Sequence, residues 1–392
     1  MNVMDMNLLD EKLFLTNTEH ELFSRARRDA PVAFHPAPDD SAGFWAVMRY
    51  DDVNTVMMDP ELFISSAGTQ IKDRKAEGDS APTIHHLDPP EHQPMRSRAM
   101  QGLRRSTLVR LTAAVEEIVK ELVDACPDNE PFDFVEKIAM PLPMMVLGRL
   151  LGIPREDQPQ TVDWANTISS HTATLEEQAT SRAELVTYYR GLVADKIKNP
   201  DDSLSTELAL SEVNGVRLTP EQLDGYFILI TAAGNETTRF LVSGGIEQLC
   251  LNPVQADHLR QNPDAMPAAI EEMVRWVTPA RLMRRTASRD TELGGQQIKK
   301  GDKVVVFLAS ANRDEAYFEN PQTFDVTRKK NPHMGFGKGA HFCLGANAAR
   351  LESVTLFNYI LAKKSKIELG GDGEKMGTFM FSGHTALPIR WS

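Results

Sequence analysis

Between residues 105 and 125 the chain places Leu108, Leu111, Val115, Ile118, Val119 and Leu122 at steps of three and four, the spacing that lines up one face of an α-helix. A helix packed on a core through that face is expected there, ended by Pro127 and Asp128. A second helical stretch opens on Thr219-Pro220-Glu221-Gln222, a capping box with threonine as N-cap and proline in the first turn. Nothing interrupts it before Asn252-Pro253, so it should run about 30 residues, or about 45 Å. It is apolar on most sides, which predicts burial. Short runs of strand character, 43–48 and 303–308, lie between helical stretches, the second behind a Gly301-Asp302 turn. The pattern predicts a mainly α protein with small β-sheets. No internal repeat and no long Gly/Ser linker breaks it, and a single domain over 1–392 is expected.

Two stretches depart from this pattern. The middle of the long helix reads Ala232-Ala233-Gly234-Asn235-Glu236-Thr237-Thr238, putting a glycine, a carboxylate and two hydroxyls where burial favours Leu or Ala. Buried polar groups cost free energy unless something satisfies or uses them. This turn is therefore either a functional site or a pair of hydroxyls bonded back to the preceding turn. Residues 65–86 are polar and rich in Gly, Asp and Lys, a long loop of the kind that covers a pocket.

Composition narrows the function classes. The 392 residues are 41% hydrophobic and 25% charged, as in a globular chain rather than a disordered or fibrous one. A formal charge of −12, from 43 Lys and Arg against 55 Asp and Glu, sets the surface against nucleic acid and anionic lipid. Cys126, Cys250 and Cys343 have no paired spacing, which argues against a disulfide framework or a zinc cluster and for a reducing compartment. The first residues carry Asp5, Asp10 and Glu11 where a signal peptide is basic. The best apolar runs, 227–234 and 141–153, fall short of the roughly 18 residues that span a bilayer. A cytoplasmic protein without a membrane anchor is expected.

Towards the C-terminus, Gly335-Phe336-Gly337-Lys338-Gly339-Ala340-His341-Phe342-Cys343-Leu344-Gly345 precedes a helix-forming run, 346–352. A glycine-rich loop thus delivers a cysteine to a helix start, where backbone N–H groups lower a thiol's pKa and bond a thiolate. The cysteine could be an inert buried residue, a nucleophile with a base or a metal ligand. His341, two residues away, would point differently off a turn and is poorly placed as the base. An axial thiolate to heme iron accounts for more, because glycines let the backbone approach the macrocycle and Phe336 can pack against it.

The run Phe336-x-x-Gly339-x-x-x-Cys343-x-Gly345 resembles the heme-binding signature of the cytochrome P-450 superfamily. Three further motifs stand in that family's order across nearly the whole chain. Glu272-Met273-Val274-Arg275 resembles the ExxR motif, whose partner is a later arginine, by position Arg328. Alone, an i,i+3 pair of this kind is usually a surface pair worth a few tenths of a kcal/mol; its order and company make it informative. Ala233-Gly234-Asn235-Glu236-Thr237 resembles the oxygen-activation motif of the family's central helix, and Asp88-Pro89-Pro90-Glu91-His92 with Arg96 resembles the segment that binds a heme propionate. The resemblance implies the cytochrome P-450 fold, a triangular heme-enclosing helical domain. It also implies heme b (iron protoporphyrin IX) ligated by Cys343 and contacted by Phe336 and Gly345. His92, Arg96, Arg285 and His341 would then neutralise the propionates.

The same resemblance implies a monooxygenase that inserts one atom of O2 into a C–H bond of a small hydrophobic substrate, nearest to terpenoid, sterol or branched-lipid types. Thr237 would hold oxygen and water, and Glu236 would relay protons. Electrons would come from a separate ferredoxin with its NAD(P)H-dependent reductase, steered by Arg104, Arg105, Arg110, Lys338 and Arg350. The chain is expected to act as a monomer. Pocket candidates are Ile230, Ala233, Arg281, Met283 and Phe381, with the 65–86 loop and the 164–189 region. Arg281 stands apart: a guanidinium there would anchor a substrate carboxylate, or else turn away to a propionate or a surface acid. Two other functions stay open, a monooxygenase of aromatic or other carboxylic acids anchored by Arg281, and a heme enzyme of non-O2 type (peroxygenase, isomerase or dehydratase).

Overall fold

The capping box at Thr219 forms: its hydroxyl accepts from the Gln222 N–H at 3.3 Å, and Gln222 Oε1 accepts from the Thr219 N–H at 2.9 Å. Pro220–Leu251 follows as one helix of 32 residues, about 48 Å long. The computed structural model describes residues 7–36, 43–71, 83–101, 105–169, 173–213 and 215–392. In it this central helix packs against the helices Pro141–Leu151, Leu175–Lys198, Met266–Val277 and Ala346–Lys363. Neighbours on several sides explain its apolar composition, and Phe227, Phe240, Leu241, Val242 and Ile246 are all buried. Close approach depends on Gly244 and Gly245, where a Cβ would lie 2.6 Å from Val277 and 2.8 Å from the Met273 sulfur.

The 105–125 expectation is met by a helix at Arg105–Asp124. Its buried Leu111, Val115, Ile118 and Val119 belong to the face that meets Pro141–Leu151 and Ala346–Lys363. Both strand expectations also hold, as Phe44–Val47 and Lys303–Phe307. They belong to a five-stranded sheet in the order Val32–His35, Phe44–Val47, Lys303–Phe307, Leu282–Ala287, Phe63–Ile64. Lys303–Phe307 is its middle strand, parallel to Phe44–Val47 and antiparallel to Leu282–Ala287. It is buried at every position, so after Lys303, whose Nζ donates to the Ile71 carbonyl at 3.1 Å, it reads as an apolar run instead of alternating. Leu308, expected in this strand, instead opens a helical turn, Leu308–Ala311. Of the 65–86 stretch, residues 72–82 lie outside the described residues; Ile84–His86 forms a 3-10 turn against the central helix and the helix His92–Gln101. No helix among the described residues is long and apolar enough to cross a membrane.

Between the sheet and the cysteine loop the chain makes turns rather than regular elements, and a buried ion network holds them. Glu272 and Arg275 pair through two contacts of 2.7 and 2.8 Å with no solvent exposure of either side chain. Arg328 Nε adds a third contact to Glu272 at 3.0 Å, Asn331 a fourth at 3.2 Å, and the Asp325 N–H a fifth at 2.9 Å. Arg275 meanwhile donates to the carbonyls of Asn312, Pro321 and Thr323 at 2.9–3.0 Å. Removing one member of a buried pair leaves an uncompensated charge in low dielectric, at a cost of about 3–5 kcal/mol. Glu272→Ala should therefore lower unfolding free energy by about that amount in urea titrations. A loss under about 1 kcal/mol would mean that the backbone carbonyls alone hold the guanidinium groups.

Candidate active site

The cysteine loop turns on two glycines. Gly337 and Gly339 take φ of +70° and +67°, and a Cβ at Gly339 would lie 2.5 Å from the Met57 carbonyl oxygen, so only glycine fits. The Gly337 N–H donates to Met334 at 2.8 Å, Phe342 to Gly339 at 3.1 Å and Cys343 to Phe336 at 2.8 Å. These bonds curl the chain so that Cys343 stands just before the helix Ala346–Lys363. Its sulfur faces the N–H groups of Gly345 and Ala346. Burial pushes the thiol's pKa up, while those N–H groups and the cations Arg96 and Arg350 pull the other way. Cys343 is nonetheless open to water-sized contact and Phe342 is 39% exposed.

Four basic groups converge beside this loop. His92 begins its helix buried, with its ring 4.1 Å from that of His341. Arg96, one turn later, donates to the Phe342 carbonyl. Arg285 comes from the sheet strand Leu282–Ala287, buried, and donates to the Arg284 carbonyl at 2.8 Å. Burial, together with the positive fields of Arg285, His92 and Arg96, holds His341 near pKa 3, so its imidazole is neutral. Burial also lowers Arg285 to about 10, against the opposing field of Asp88; it remains a cation at neutral pH.

On the central helix, Ile230, Ala233, Gly234 and Thr237 follow one another at the spacing of a single face, and all four are open or half-open amid buried turns. Thr237 Oγ1 donates to the Ala233 carbonyl at 2.8 Å, the back-bond allowed by the sequence. Glu236 is buried with Arg239 Nη2 at 3.4 Å. Asn235, also buried, donates to Asn166 Oδ1 at 3.1 Å. Phe381 comes up beside this helix, its ring 6.0 Å from that of Phe240. Met283 is half-buried and packs on the sheet's own core.

Residues 165–366 match the family model described as cytochrome P-450. The chain is 35% identical over 386 residues to a methyl-branched lipid omega-hydroxylase of Mycobacterium bovis, covering 94% of this chain and 90% of that one. It is 34% identical over 390 residues to a steroid C26-monooxygenase of Rhodococcus jostii, covering 95% and 82%. The chain belongs to the cytochrome P-450 family. In three dimensions it superimposes on a Mycobacterium marinum cytochrome P-450 in complex with pseudoionone with a TM-score of 0.91, at 31% identity over 98% of each chain. Cytochromes P-450 are heme b monooxygenases, and the donors gathered in this one fit that group. His92 Nε2 is buried and has no hydrogen-bond partner among the described residues. Arg285 is buried and has no ion pair among them. Unsatisfied donors of this kind are what two buried carboxylates need.

One pocket candidate needs correction within this P-450. Arg281 does not face the pocket with a free guanidinium: it is buried, 3.5 Å from Glu19, and donates to the carbonyls of Thr378 and Phe381. Of the two alternatives it takes the second and turns away, but to the buried Glu19 rather than to a surface acid. Among the cations expected to steer a ferredoxin, Lys338 donates through Nζ to the uncharged Tyr50 Oη at 2.7 Å and Asn54 Oδ1 at 3.2 Å. Arg350 grips Glu271 through 2.6 and 2.9 Å contacts. Arg104 and the side chains of Arg105 and Arg110 lie outside the described residues. Sequence reading missed Glu271, which directly precedes Glu272, and His333 in the approach to Phe336. His333 Nε2 donates to Glu271 at 2.9 Å while its Nδ1 accepts from the Gly335 N–H at 3.1 Å. Arg350 also lies 4.5 Å over the Phe336 ring, so Glu271 braces the loop from beneath.

Burial would raise the Glu271 carboxyl, but hydrogen bonds from Arg350 and His333 outweigh it and hold the pKa at about 2, below the ordinary 4.5. A depressed folded-state pKa stabilises the fold above the unfolded value, and that contribution fades as pH falls from 4.5 towards 2. Glu271→Gln should remove a contribution on the order of 2 kcal/mol at neutral pH. It should also flatten the acid limb of stability measured by denaturant unfolding at several pH values below 4.5. An acid limb identical to that of the parent protein would show that Glu271 titrates alike in both states.

Proposed function

We propose that this P-450 hydroxylates a small hydrophobic molecule of terpenoid, sterol or branched-lipid type, with electrons from a separate ferredoxin and its NAD(P)H-dependent reductase. The observation that carries the reading is the open face of the central helix. Around the hydroxyl of Thr237 it presents only Ile230, Ala233 and Gly234, a surface that selects hydrocarbon by shape. Relatives named for a methyl-branched lipid and a steroid, and the pseudoionone complex, support the class. Capture of Arg281 by Glu19 disfavours the alternative in which that arginine anchors a carboxylic acid.

Bound heme b supplies O2 activation and the transfer of one oxygen atom to carbon. Cys343 would hold the iron as a thiolate, a form favoured by the N–H groups of Gly345 and Ala346 and by Arg96 and Arg350. Phe336 would stand beside the sulfur, its ring braced by Arg350. Arg96 and Arg285 would neutralise the propionates by charge. His92 and His341, the latter uncharged, would donate hydrogen bonds to the carboxylates without neutralising them. The net reaction takes up two electrons and two protons with each O2 and releases one water. Thr237 can deliver a proton because its hydroxyl is bonded to a carbonyl from which it can swing away. Glu236 would resupply it from solvent once its contact with Arg239 opens.

Thr237→Ala removes that hydroxyl while leaving the substrate face apolar. Product formed per NAD(P)H consumed should fall by roughly tenfold, with peroxide making up the difference, while spectral substrate affinity holds. Unchanged coupling would remove Thr237 from proton delivery. The substrate class is tested on the purified enzyme with a panel of a terpenoid, a steroid, a methyl-branched fatty acid and an aromatic acid. The first three should displace iron-bound water and shift the heme to high spin, with turnover that requires ferredoxin, its reductase and NAD(P)H. A response confined to the aromatic acid, or peroxide-driven turnover at the same rate without ferredoxin, would overturn the reading.

A further inference from the structure

The guanidinium of Arg281 is a junction between chain segments distant in sequence. Nη1 donates to the Thr378 carbonyl at 2.6 Å and to that of Phe381, and the backbone N–H donates to Met380 at 2.8 Å. On its other side Nη2 meets Glu19 Oε1 at 3.5 Å, and the group lies 4.6 Å over the ring of Phe14. The 378–382 turn is pinned further by a bridge between Ala280 and Phe381 and by the Ser382 N–H donating to Pro279 at 2.9 Å. One residue thus fastens that turn to the two N-terminal helices, Glu11–Thr16 and Glu19–Asp29.

The clasp is demanding chemically. Arg281 is 5% and Glu19 2% exposed, so neither charge is held by solvent. Burial lowers the Arg281 pKa, and the Glu19 carboxylate is the charge that opposes this. A second buried guanidinium, Arg313, acts on Glu19 as well, as does Lys375. An arginine fork can serve two carbonyls and a carboxylate together, whereas an ammonium is a point charge. Such an arrangement orients more than it stabilises. What it orients is Phe381, whose ring stands 6.0 Å from Phe240 on the central helix. On the other flank, Phe379 and Met380 pack on the cluster built by Leu8, Leu9 and Phe14.

We infer that Arg281, anchored on Glu19, is a specificity-determining positioning residue that sets where Phe381 stands and hence the bulk of substrate accepted. The inference rests on the proposed hydrophobic substrate pocket, but its geometry does not. Arg281 acts through the turn and touches no substrate. Loosening the clasp lets Phe381 move, so compact and bulky ligands become less well distinguished.

The test uses heme-loaded Arg281→Lys and Glu19→Gln proteins. Three measurements are made: hydrogen exchange of the 378–382 amides, the reduced-CO absorbance band, and spectral Kd values for testosterone and lauric acid. Exchange should quicken about tenfold and the testosterone-to-laurate Kd ratio should shift about fivefold or more, while the CO band stays that of an intact thiolate site. Should one variant fail to take up heme, the other carries the comparison. Faster exchange with an unchanged Kd ratio would reduce Arg281 to a brace of the fold, and unchanged exchange would remove the clasp altogether. If neither ligand shifts the parent enzyme's spectrum, the hydrophobic-substrate reading falls, while the exchange result still decides whether the clasp exists.

Discussion

Glu272 has no contact with solvent, and two guanidinium groups close on it. The position of the cysteine loop depends on that charge cluster. Arg275 ties the helix Met266–Val277 to the carbonyls of Asn312, Pro321 and Thr323. Asn312 extends the chain of bonds: its Nδ2 donates to Thr278 Oγ1 at 2.8 Å and its Oδ1 accepts from the Met334 N–H at 2.7 Å. Met334 is two residues from Phe336, whose carbonyl receives the Cys343 N–H. A buried ion pair adds little net stability compared with apolar packing, but it tolerates few geometries. Its effect is to give an irregular stretch of chain a single arrangement.

The thiol at the end of that stretch sits under opposing forces. Depth in the protein favours the neutral form, whereas two N–H groups at the helix start and two arginines favour the anion. Groups poised in this way gain most from a metal, because ligation supplies the charge that burial withholds. Arg350 takes part twice. It contributes to the field at Cys343, and it is locked by Glu271 in a stack on Phe336. The ligand's electrostatics and the loop's shape therefore share one side chain.

The polar middle of the central helix shows that a structural and a functional reading can hold for the same atoms. Thr237 is satisfied by the Ala233 carbonyl and Glu236 is paired with Arg239, so the helix carries both groups at little cost at rest. Each partner is weak or local enough to exchange, and a proton path needs groups that can leave their partners. Gly234 has no atom within 4 Å of where a Cβ would stand, so the backbone beside these groups is bare.

Much of this protein was legible in its sequence because the deciding interactions are local. A capping box needs residues three apart, and that of Thr219 forms as read. Helical periodicity marked the buried face of Arg105–Asp124, and the glycines at 337 and 339 announced a turn that only glycine can make. The motifs around Cys343 and Glu272 are likewise contained within one loop or one helical turn. Tertiary structure alone decided which distant groups meet. The sequence leaves Arg281 between a pocket and an acid until Glu19, 262 positions earlier, takes its guanidinium, and it shows neither Tyr50 beside Lys338 nor Glu271 beside Arg350. The fate of a charge depends on what packs against it. In a chain whose N-terminal helices support the turn at 378–382, that neighbour comes from the far end of the sequence, where no local spacing can signal it.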